Sequence, residues 1–164
     1  MCIRDSSNSE IPLVVDGGAI KALGENLEIL KMRKADTIFT PHEREFEDLV
    51  GSRPSPQRIE DVLRAAKLTN SIVLLKGPIT VVANPEGRCL VVANGDHRLA
   101  TAGTGDVLAG IIGALLAQGV PSLEAAAMGA WVHAEAGQFS FKHGMVASDL
   151  INLIPEVLHE TDVG

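Results

Sequence analysis

The chain has 164 residues, of which 46% are hydrophobic and 21% charged, a composition typical of one globular domain. Its formal net charge of -7 argues against a nucleic-acid-binding surface, because phosphate backbones are bound by clustered lysines and arginines. The longest apolar run, residues 107–117, is far shorter than the roughly 20 residues of a membrane-spanning helix. We therefore expect neither a nucleic-acid partner nor a membrane partner.

The two cysteines, Cys2 and Cys89, lie far apart in the sequence and form no Cys-x-x-Cys pair. This pattern indicates neither a disulfide framework nor a zinc site, and it favours a reducing, cytoplasmic setting. The 5 histidines also lack metal-ligand spacing. We expect no metal site that is built from protein ligands.

The beginning of the chain changes character after residue 10. Residues 1–10 are polar and lack periodicity, which predicts a disordered or foreign leader before a domain that spans 11–164. The apolar run at 11–15 predicts a strand, and the glycines that follow Asp16 predict a turn into a helix. A carboxylate at the end of a strand lies where α/β proteins bind ligands, but a turn Asp has the same pattern. Both interpretations of Asp16 stay open.

The next segment predicts a strand at 35–40 and a helix that ends at Gly51. Thr40 is predicted as the N-cap and Pro41 as the first helical residue, since both residue types are favoured at those positions. This assignment puts His42 in the first helical turn, either as a ligand contact or as an ordinary surface residue.

The middle of the chain predicts a helix from Ser55 onwards and then a buried strand at 71–75, where every residue but the first is apolar. The strand ends at Lys76, whose ammonium lies either near a bound phosphate or in solvent. Two similar apolar runs, 79–84 and 89–94, flank a short connection that contains glycine. They predict a β-hairpin.

The stretch that follows is Leu99-Ala-Thr-Ala-Gly-Thr-Gly-Asp106, and it leads directly into the apolar run 107–117. A small-residue loop that opens into a helix leaves unpaired backbone N–H groups at the positive end of the helix dipole. The stretch therefore predicts an anion site. Asp106 stands where the loop becomes the helix, so it is either a general base or an ordinary helix cap.

The C-terminal part predicts two further helices. A long Ala-rich helix starts at Pro121, and we interpret its His133 and Glu135 as helix-surface or core-edge residues. A last helix is predicted at 147–160, with Pro155 kinking or restarting it. Taken in order, the elements predict an α/β fold in which helices flank a layered sheet.

Several common nucleotide and hydrolase motifs are absent. A dinucleotide fingerprint needs a third glycine at Leu108, and a Walker A loop needs Lys where Asp106 follows Gly105. The Gly-x-Ser-x-Gly elbow of many hydrolases does not occur. Three candidate site features remain after these exclusions. They are an anion loop beside a carboxylate, a lysine at the end of a strand, and a Pro-His pair at the end of another strand.

Three motifs resemble the ADP/ATP-dependent NAD(P)H-hydrate dehydratases, a branch of the ribokinase-like superfamily, and occur in the family's order. The first is similar to Thr-Pro-His-x-x-Glu-Phe-x-x-Leu and reads Thr40-Pro-His-Glu-Arg-Glu-Phe-Glu-Asp-Leu49. The second is similar to Leu-Lys-Gly-x-x-Thr and reads Leu75-Lys-Gly-Pro-Ile-Thr80. The third is similar to the family's glycine loop and reads Ala102-Gly-Thr-Gly-Asp-Val-Leu-Ala-Gly110. The resemblance implies a ribokinase-like layered sheet.

The resemblance also implies a repair reaction on hydrated NADH and NADPH. A nucleoside phosphate phosphorylates the hydroxyl of the damaged nicotinamide ring, and elimination of phosphate restores the double bond. Asp106 would be the base that deprotonates this hydroxyl and would contact the substrate together with His42. ADP, or ATP, would be the co-substrate with Mg2+, and we expect a homo-oligomer in the full-length form.

The resemblance assigns the phosphate-binding and nucleotide-binding residues as well. The anion loop would consist of Ala102, Gly103, Thr104 and Gly105. The nucleotide contacts would come from Lys76, Gly77, Pro78, Ile79, Thr80 and Gly105.

The sequence departs from the family pattern at three places. The usual Asn-Pro-Gly-Met before the loop is replaced by Asp96-His97-Arg98-Leu99, and Asp16 matches only the first Asp of Asp-Ala-Asp-Ala. Family domains have further strands and helices N-terminal to the segment that begins at Ile11 in this chain. We therefore expect this chain to be a C-terminal portion of the domain that is truncated at its N-terminus. Such a portion would carry the nucleotide half of the site and an exposed sheet edge. Two alternatives stay open: a ribokinase-like kinase of a small alcohol, and an inactive nucleotide-binding fragment.

Overall fold

The computed structural model describes residues 10–141 and 143–161, so that all but one residue of the predicted leader lies outside the described part. A five-stranded sheet has the order β1-β2-β3-β4-β5. Its strands are β1 Leu13–Val15, β2 Thr37–Phe39, β3 Ile72–Leu75, β4 Thr80–Ala83 and β5 Cys89–Val92. β1, β2 and β3 are parallel, whereas β3, β4 and β5 pair antiparallel. The predicted strands and the hairpin are confirmed.

Seven α-helices lie within the described ranges. They are α1 Gly18–Gly24, α2 Glu28–Lys31, α3 Glu43–Val50, α4 Arg58–Thr69, α5 Thr104–Ala117, α6 Ser122–Phe139 and α7 Ala147–Thr161. A 3-10 turn at His97–Ala100 precedes α5. None of the described helices has the combination of length and apolar character that crossing a membrane requires.

The helices cover both faces of the sheet, because successive side chains of a strand point to opposite faces. On one face, Val73 and Leu75 of β3 pack with buried residues of α1 to α4, among them Ile20, Leu30, Phe46 and Val62. On the other face, Ile72 and Leu74 pack with residues of α5 and α6, among them Leu108, Ile112, Leu123 and Ala126. Helix α7 packs outside α5 and α6. The predicted layered arrangement is confirmed.

Helices α5 and α6 approach each other closely because α6 carries small residues. A Cβ atom on Gly129 would lie 2.6 Å from Ile112 Cγ1, so that a larger residue would force the helices apart.

The start of α3 differs from the sequence prediction. The helix begins at Glu43 and its N-cap is His42, so the assignment of Thr40 as N-cap and Pro41 as first residue is wrong. His42 has extended backbone angles and its Nδ1 accepts the N–H groups of Arg44 and Glu45, which takes over the capping role. Thr40 is fully buried and uses its hydroxyl elsewhere.

Two other helices also begin at unexpected positions. Helix α4 begins at Arg58 rather than at Ser55, whose hydroxyl accepts the backbone N–H of Gln57 in the preceding turn. Helix α5 begins at Thr104 with Gly103 as N-cap, so Asp106 lies in the first turn and does not cap the helix.

Candidate active site

Three parallel strands end at the same edge of the sheet, and their next residues meet there. Asp16 follows β1, Thr40 follows β2 and Lys76 follows β3. The Lys76 ammonium and the Thr40 hydroxyl each donate to Asp16 Oδ1 at 2.8 Å. The carboxyl ends of parallel strands are where α/β proteins bind ligands. The arrangement therefore joins the first two sequence motifs at one site.

The Thr-Pro-His-x-x-Glu motif forms a reciprocal helix cap. Glu45 Oε2 accepts the backbone N–H of His42 at 2.9 Å, while His42 Nδ1 accepts that of Glu45 at 3.1 Å. Nδ1 thus acts as an acceptor, and Nε2 of the half-exposed ring lies 3.4 Å from Glu45 Oε1. Glu45 Oε2 also lies 3.6 Å from Lys76 Nζ. The motif thus presents one imidazole N–H and one carboxylate beside the lysine.

The glycine loop is held in place by Thr104. Its hydroxyl donates to the carbonyl oxygens of Leu99 at 2.6 Å and Thr101 at 2.8 Å. Gly103 takes the left-handed conformation, with a φ of 88°, that turns the chain into α5. The first turn of a helix has no intrahelical partner for its N–H groups, so those of Gly105 and Asp106 are available to an anion.

Gly105 lies directly against the strand-end residues. A Cβ atom there would lie 2.9 Å from Asp16 Oδ2 and 3.4 Å from Lys76 Nζ. The lysine ammonium and the positive end of the α5 dipole therefore face the same small volume. This geometry suits a phosphate group.

The segment before the loop is fixed by an ion pair that the sequence analysis did not predict. Arg98 donates from Nε and Nη2 to the two oxygens of Asp96, each at 2.7 Å, and its Nη1 donates to the Ser140 carbonyl oxygen at 2.9 Å. Hydrogen bonds from the Arg98 side chain hold the pKa of Asp96 well below its usual range. The residues that replace the family's Asn-Pro-Gly-Met thus build their own support for the loop.

A cavity of about 730 Å³ lies between the strand ends and the glycine loop. Seven of the predicted nucleotide and anion-loop residues line it: Lys76, Gly77, Pro78, Thr80, Ala102, Thr104 and Gly105. The predicted substrate contact His42 also lines it. A volume of this size is within the range of small-molecule and cofactor sites.

Three predicted site residues lie outside the cavity lining. Ile79 is half-exposed, Gly103 turns the loop, and Asp106 is exposed on the first turn of α5. Asp106 is therefore accessible to solvent and does not line the cavity. The functional roles of all these residues stay predictions.

His133 lines the cavity although its sequence suggested a helix-surface or core-edge position. The residue is only 7% exposed, and its Nε2 has no hydrogen-bond partner among the described residues. Burial lowers the pKa of His133 to about 4, and the charge of Lys76 acts in the same direction while the Thr104 backbone opposes it. The imidazole is therefore neutral at neutral pH.

A model of the NAD(P)H-hydrate dehydratase family matches residues 2–158 of this chain. The bifunctional NAD(P)H-hydrate repair enzyme Nnr of Mycobacterium leprae is 42% identical over 132 residues, which cover 80% of this chain and 28% of that protein. The ADP-dependent (S)-NAD(P)H-hydrate dehydratase of Neisseria meningitidis is 36% identical over 151 residues, which cover 89% of this chain and 51% of that protein. The chain thus spans about a quarter to a half of the length of these curated relatives.

A solved structure has a closely similar fold. It is the ADP/ATP-dependent NAD(P)H-hydrate dehydratase from Bacillus subtilis, co-crystallised with ATP/Mg2+ and soaked with CoA. The TM-score is 0.84 at 25% sequence identity, and the match covers 96% of this chain and 59% of that chain. Ribokinase-like proteins share the arrangement, which confirms the predicted fold class. From its motifs, its cavity and these similarities, the chain belongs to the NAD(P)H-hydrate dehydratase family.

Proposed function

We propose that this chain carries the nucleotide site and the catalytic base of an ADP-dependent (S)-NAD(P)H-hydrate dehydratase. The observation that carries the proposal is the meeting of His42, Lys76 and Gly105 around one cavity, because each comes from a different motif of the family. In the proposed reaction, ADP transfers its terminal phosphoryl group to the hydroxyl of the hydrated ring and leaves as AMP. Phosphate then departs from the ring, a ring proton is lost, and the double bond is restored.

The cavity is the proposed nucleotide site. Lys76, Gly77, Pro78 and Thr80 line one wall. The opposite side includes Leu108, Ala130 and Ala134, an apolar surface that suits a base. The N–H groups of Gly105 and Asp106 would stabilise charge on the phosphoryl group as it is transferred. These donors are held by the Thr104 hydrogen bonds before any ligand binds.

The hydroxyl-bearing substrate would approach the loop from outside the cavity. Asp106 is exposed there, on the helix turn whose amides face the phosphate. Its carboxylate would take the proton of the hydroxyl as that oxygen attacks phosphorus. His42, half-exposed at the rim, would contact the substrate through its Nε2–H.

Mg2+ would neutralise phosphate charge when the nucleotide is bound. Among the described residues no cluster of three or more His, Cys, Asp and Glu side chains could hold a metal ion. An ion that is held mainly by phosphate oxygens and water would not need such a cluster.

The test follows NADH recovery by absorbance after hydrated NADH is mixed with this chain, ADP and Mg2+. We expect Asp106→Asn to lower turnover by at least about 100-fold, because it removes a general base. ADP affinity, measured by calorimetry, should change less than about 3-fold, since Asp106 lies outside the cavity lining. Unchanged turnover in Asp106→Asn would exclude Asp106 as the base.

Two other outcomes would replace the proposal. A stable phosphorylated alcohol instead of NADH would identify a small-alcohol kinase that uses the same loop. If the unsubstituted chain and Asp106→Asn bind ADP equally and neither shows turnover, the chain is a nucleotide-binding fragment. A cytoplasmic setting and a homo-oligomeric full-length form complete the proposal, and size-exclusion chromatography with light scattering of the full-length protein tests the oligomer.

A further inference from the structure

Asp16 is the residue whose role the sequence leaves open, and it joins three parts of the site. Its Oδ1 accepts from Lys76 Nζ and from Thr40 Oγ1, both at 2.8 Å. Its Oδ2 lies 2.9 Å from the position of a Cβ atom on Gly105. The side chains of Asp16 and Lys76 are only 17% and 23% exposed, so the ion pair is largely shielded from solvent.

Lys76 has a second carboxylate within reach. Its Nζ is 3.6 Å from Glu45 Oε2, compared with 2.8 Å from Asp16 Oδ1. The Lys76 backbone is fixed by its N–H, which donates to the Pro41 carbonyl oxygen at 2.8 Å. The four-carbon side chain still has many rotamers, so a neighbouring charge has to select one of them.

We propose that Asp16 is a positioning residue that holds the Lys76 ammonium against the first turn of α5, in line with the loop amides. This inference rests on the proposed function, since it assumes that the group bound at the turn is the phosphoryl group being transferred. In this position Nζ lies 3.4 Å from the Cβ position of Gly105. The ammonium and the amide donors are thereby arranged before the nucleotide binds, as electrostatic catalysis requires.

The loss of Asp16 has two opposing effects on a bound nucleotide. Without it, Glu45 is the remaining carboxylate beside Lys76, and the ammonium loses the partner that holds it at the loop. The same change removes a negative charge next to the phosphates, which favours ground-state binding. Asp16→Asn should therefore lower kcat by about 10- to 100-fold while the KM for ADP stays the same or falls. A purely structural role would not produce this split.

The test is a double-mutant cycle on dehydration with Asp16→Asn, Lys76→Met and the double variant. If Asp16 acts through Lys76, adding Asp16→Asn to Lys76→Met costs less than about 2-fold further in kcat. Asp16→Glu keeps the charge and should retain more turnover than Asp16→Asn. Asp36→Asn removes an exposed carboxylate before β2 and serves as the matched control. Independent, multiplicative effects of Asp16→Asn and Lys76→Met would overturn the proposal.

A second readout does not need turnover. The ζ-ammonium signal of Lys76 in heteronuclear NMR reports its hydrogen bonding, and we expect it to shift and exchange faster in Asp16→Asn but not in Asp36→Asn. An unchanged Lys76 signal in Asp16→Asn would refute the positioning role. The Lys76 signal could change in Asp16→Asn although the unsubstituted chain shows no dehydratase activity. That result would support the contact between Asp16 and Lys76 and would contradict the proposed function.

Discussion

Gly95 lies so close to Pro78 that a Cβ atom on Gly95 would stand 2.5 Å from the Pro78 carbonyl oxygen. The same atom would be 3.1 Å from the carbonyl oxygen of Gly77. Both neighbours are backbone atoms and cannot rotate away. The contact therefore joins the segment before the glycine loop to the proposed nucleotide segment.

We predict that Gly95→Ala weakens ADP binding by about 10-fold or more. The added methyl group displaces residues 77 and 78, which line the cavity. Calorimetric titration with ADP measures the effect. Gly110→Ala is the control, since a Cβ atom there meets nothing within 4 Å and lies within α5. Equal affinities for both variants would show that the 77–78 backbone does not shape the nucleotide site.

The His133 pKa predicts a loss of stability on acidification. The unfolded chain takes up a proton near pH 6.5, whereas the folded chain resists it until about pH 4. The unfolded state therefore binds more protons in this window, and the free energy of unfolding falls as the pH falls, by about 3 kcal/mol in total. Urea denaturation at pH 7 and pH 5 measures the slope. His133→Leu should flatten this part of the profile, while substitution of the highly exposed His97 by Asn should not.

The Asp96 and Arg98 pair should be costly to break from one side. Arg98→Met leaves the Asp96 carboxylate without its partner, and we expect the free energy of unfolding to fall. Asp96→Asn in the same chain should recover part of that loss, because the unpaired charge is removed. Denaturant midpoints of the single and double variants measure both changes. A double variant less stable than Arg98→Met alone would contradict this account of the pair.

The contact between α5 and α6 predicts a pair of coupled substitutions. Gly129→Ala places a methyl group 2.6 Å from Ile112 Cγ1 and should cost about 1 to 3 kcal/mol of stability. Ile112→Ala removes that neighbour, so the double variant should be more stable than the sum of the two losses predicts. Gly113→Ala, which meets nothing within 4 Å, is the control. Strict additivity would show that the helices do not depend on this contact.

The strands could be predicted because their signal is local. The buried strand that ends at Lys76 is a continuous apolar run, and the hairpin has turn residues between two similar runs. The helix start at His42 could not be predicted, since Thr40 and Pro41 are stronger local signals for a helix N-terminus than a histidine cap. In the fold, Thr40 is fully buried and donates to Asp16, so a long-range contact overrides the local preference.

The site was predictable in part. The motifs that contain His42, Lys76 and Gly105 were identified by their resemblance to the family's motifs, and the structure brings these residues to one cavity. The contacts of Asp16 depend on strand pairing across 60 positions of sequence, which no local pattern encodes. His133 lies on a helix that is buried on most sides, so the helical period does not mark the side that lines the cavity.

The hairpin of β4 and β5 has a practical use. β4 begins at the edge that carries Lys76 and runs away from it, so the connection to β5 lies at the far edge of the sheet. Glu86 and Gly87 are exposed in that connection. A fluorophore attached at Glu86 would label the protein, and a surface tether at the same position would immobilise it. Either attachment would leave the entrance to the cavity open.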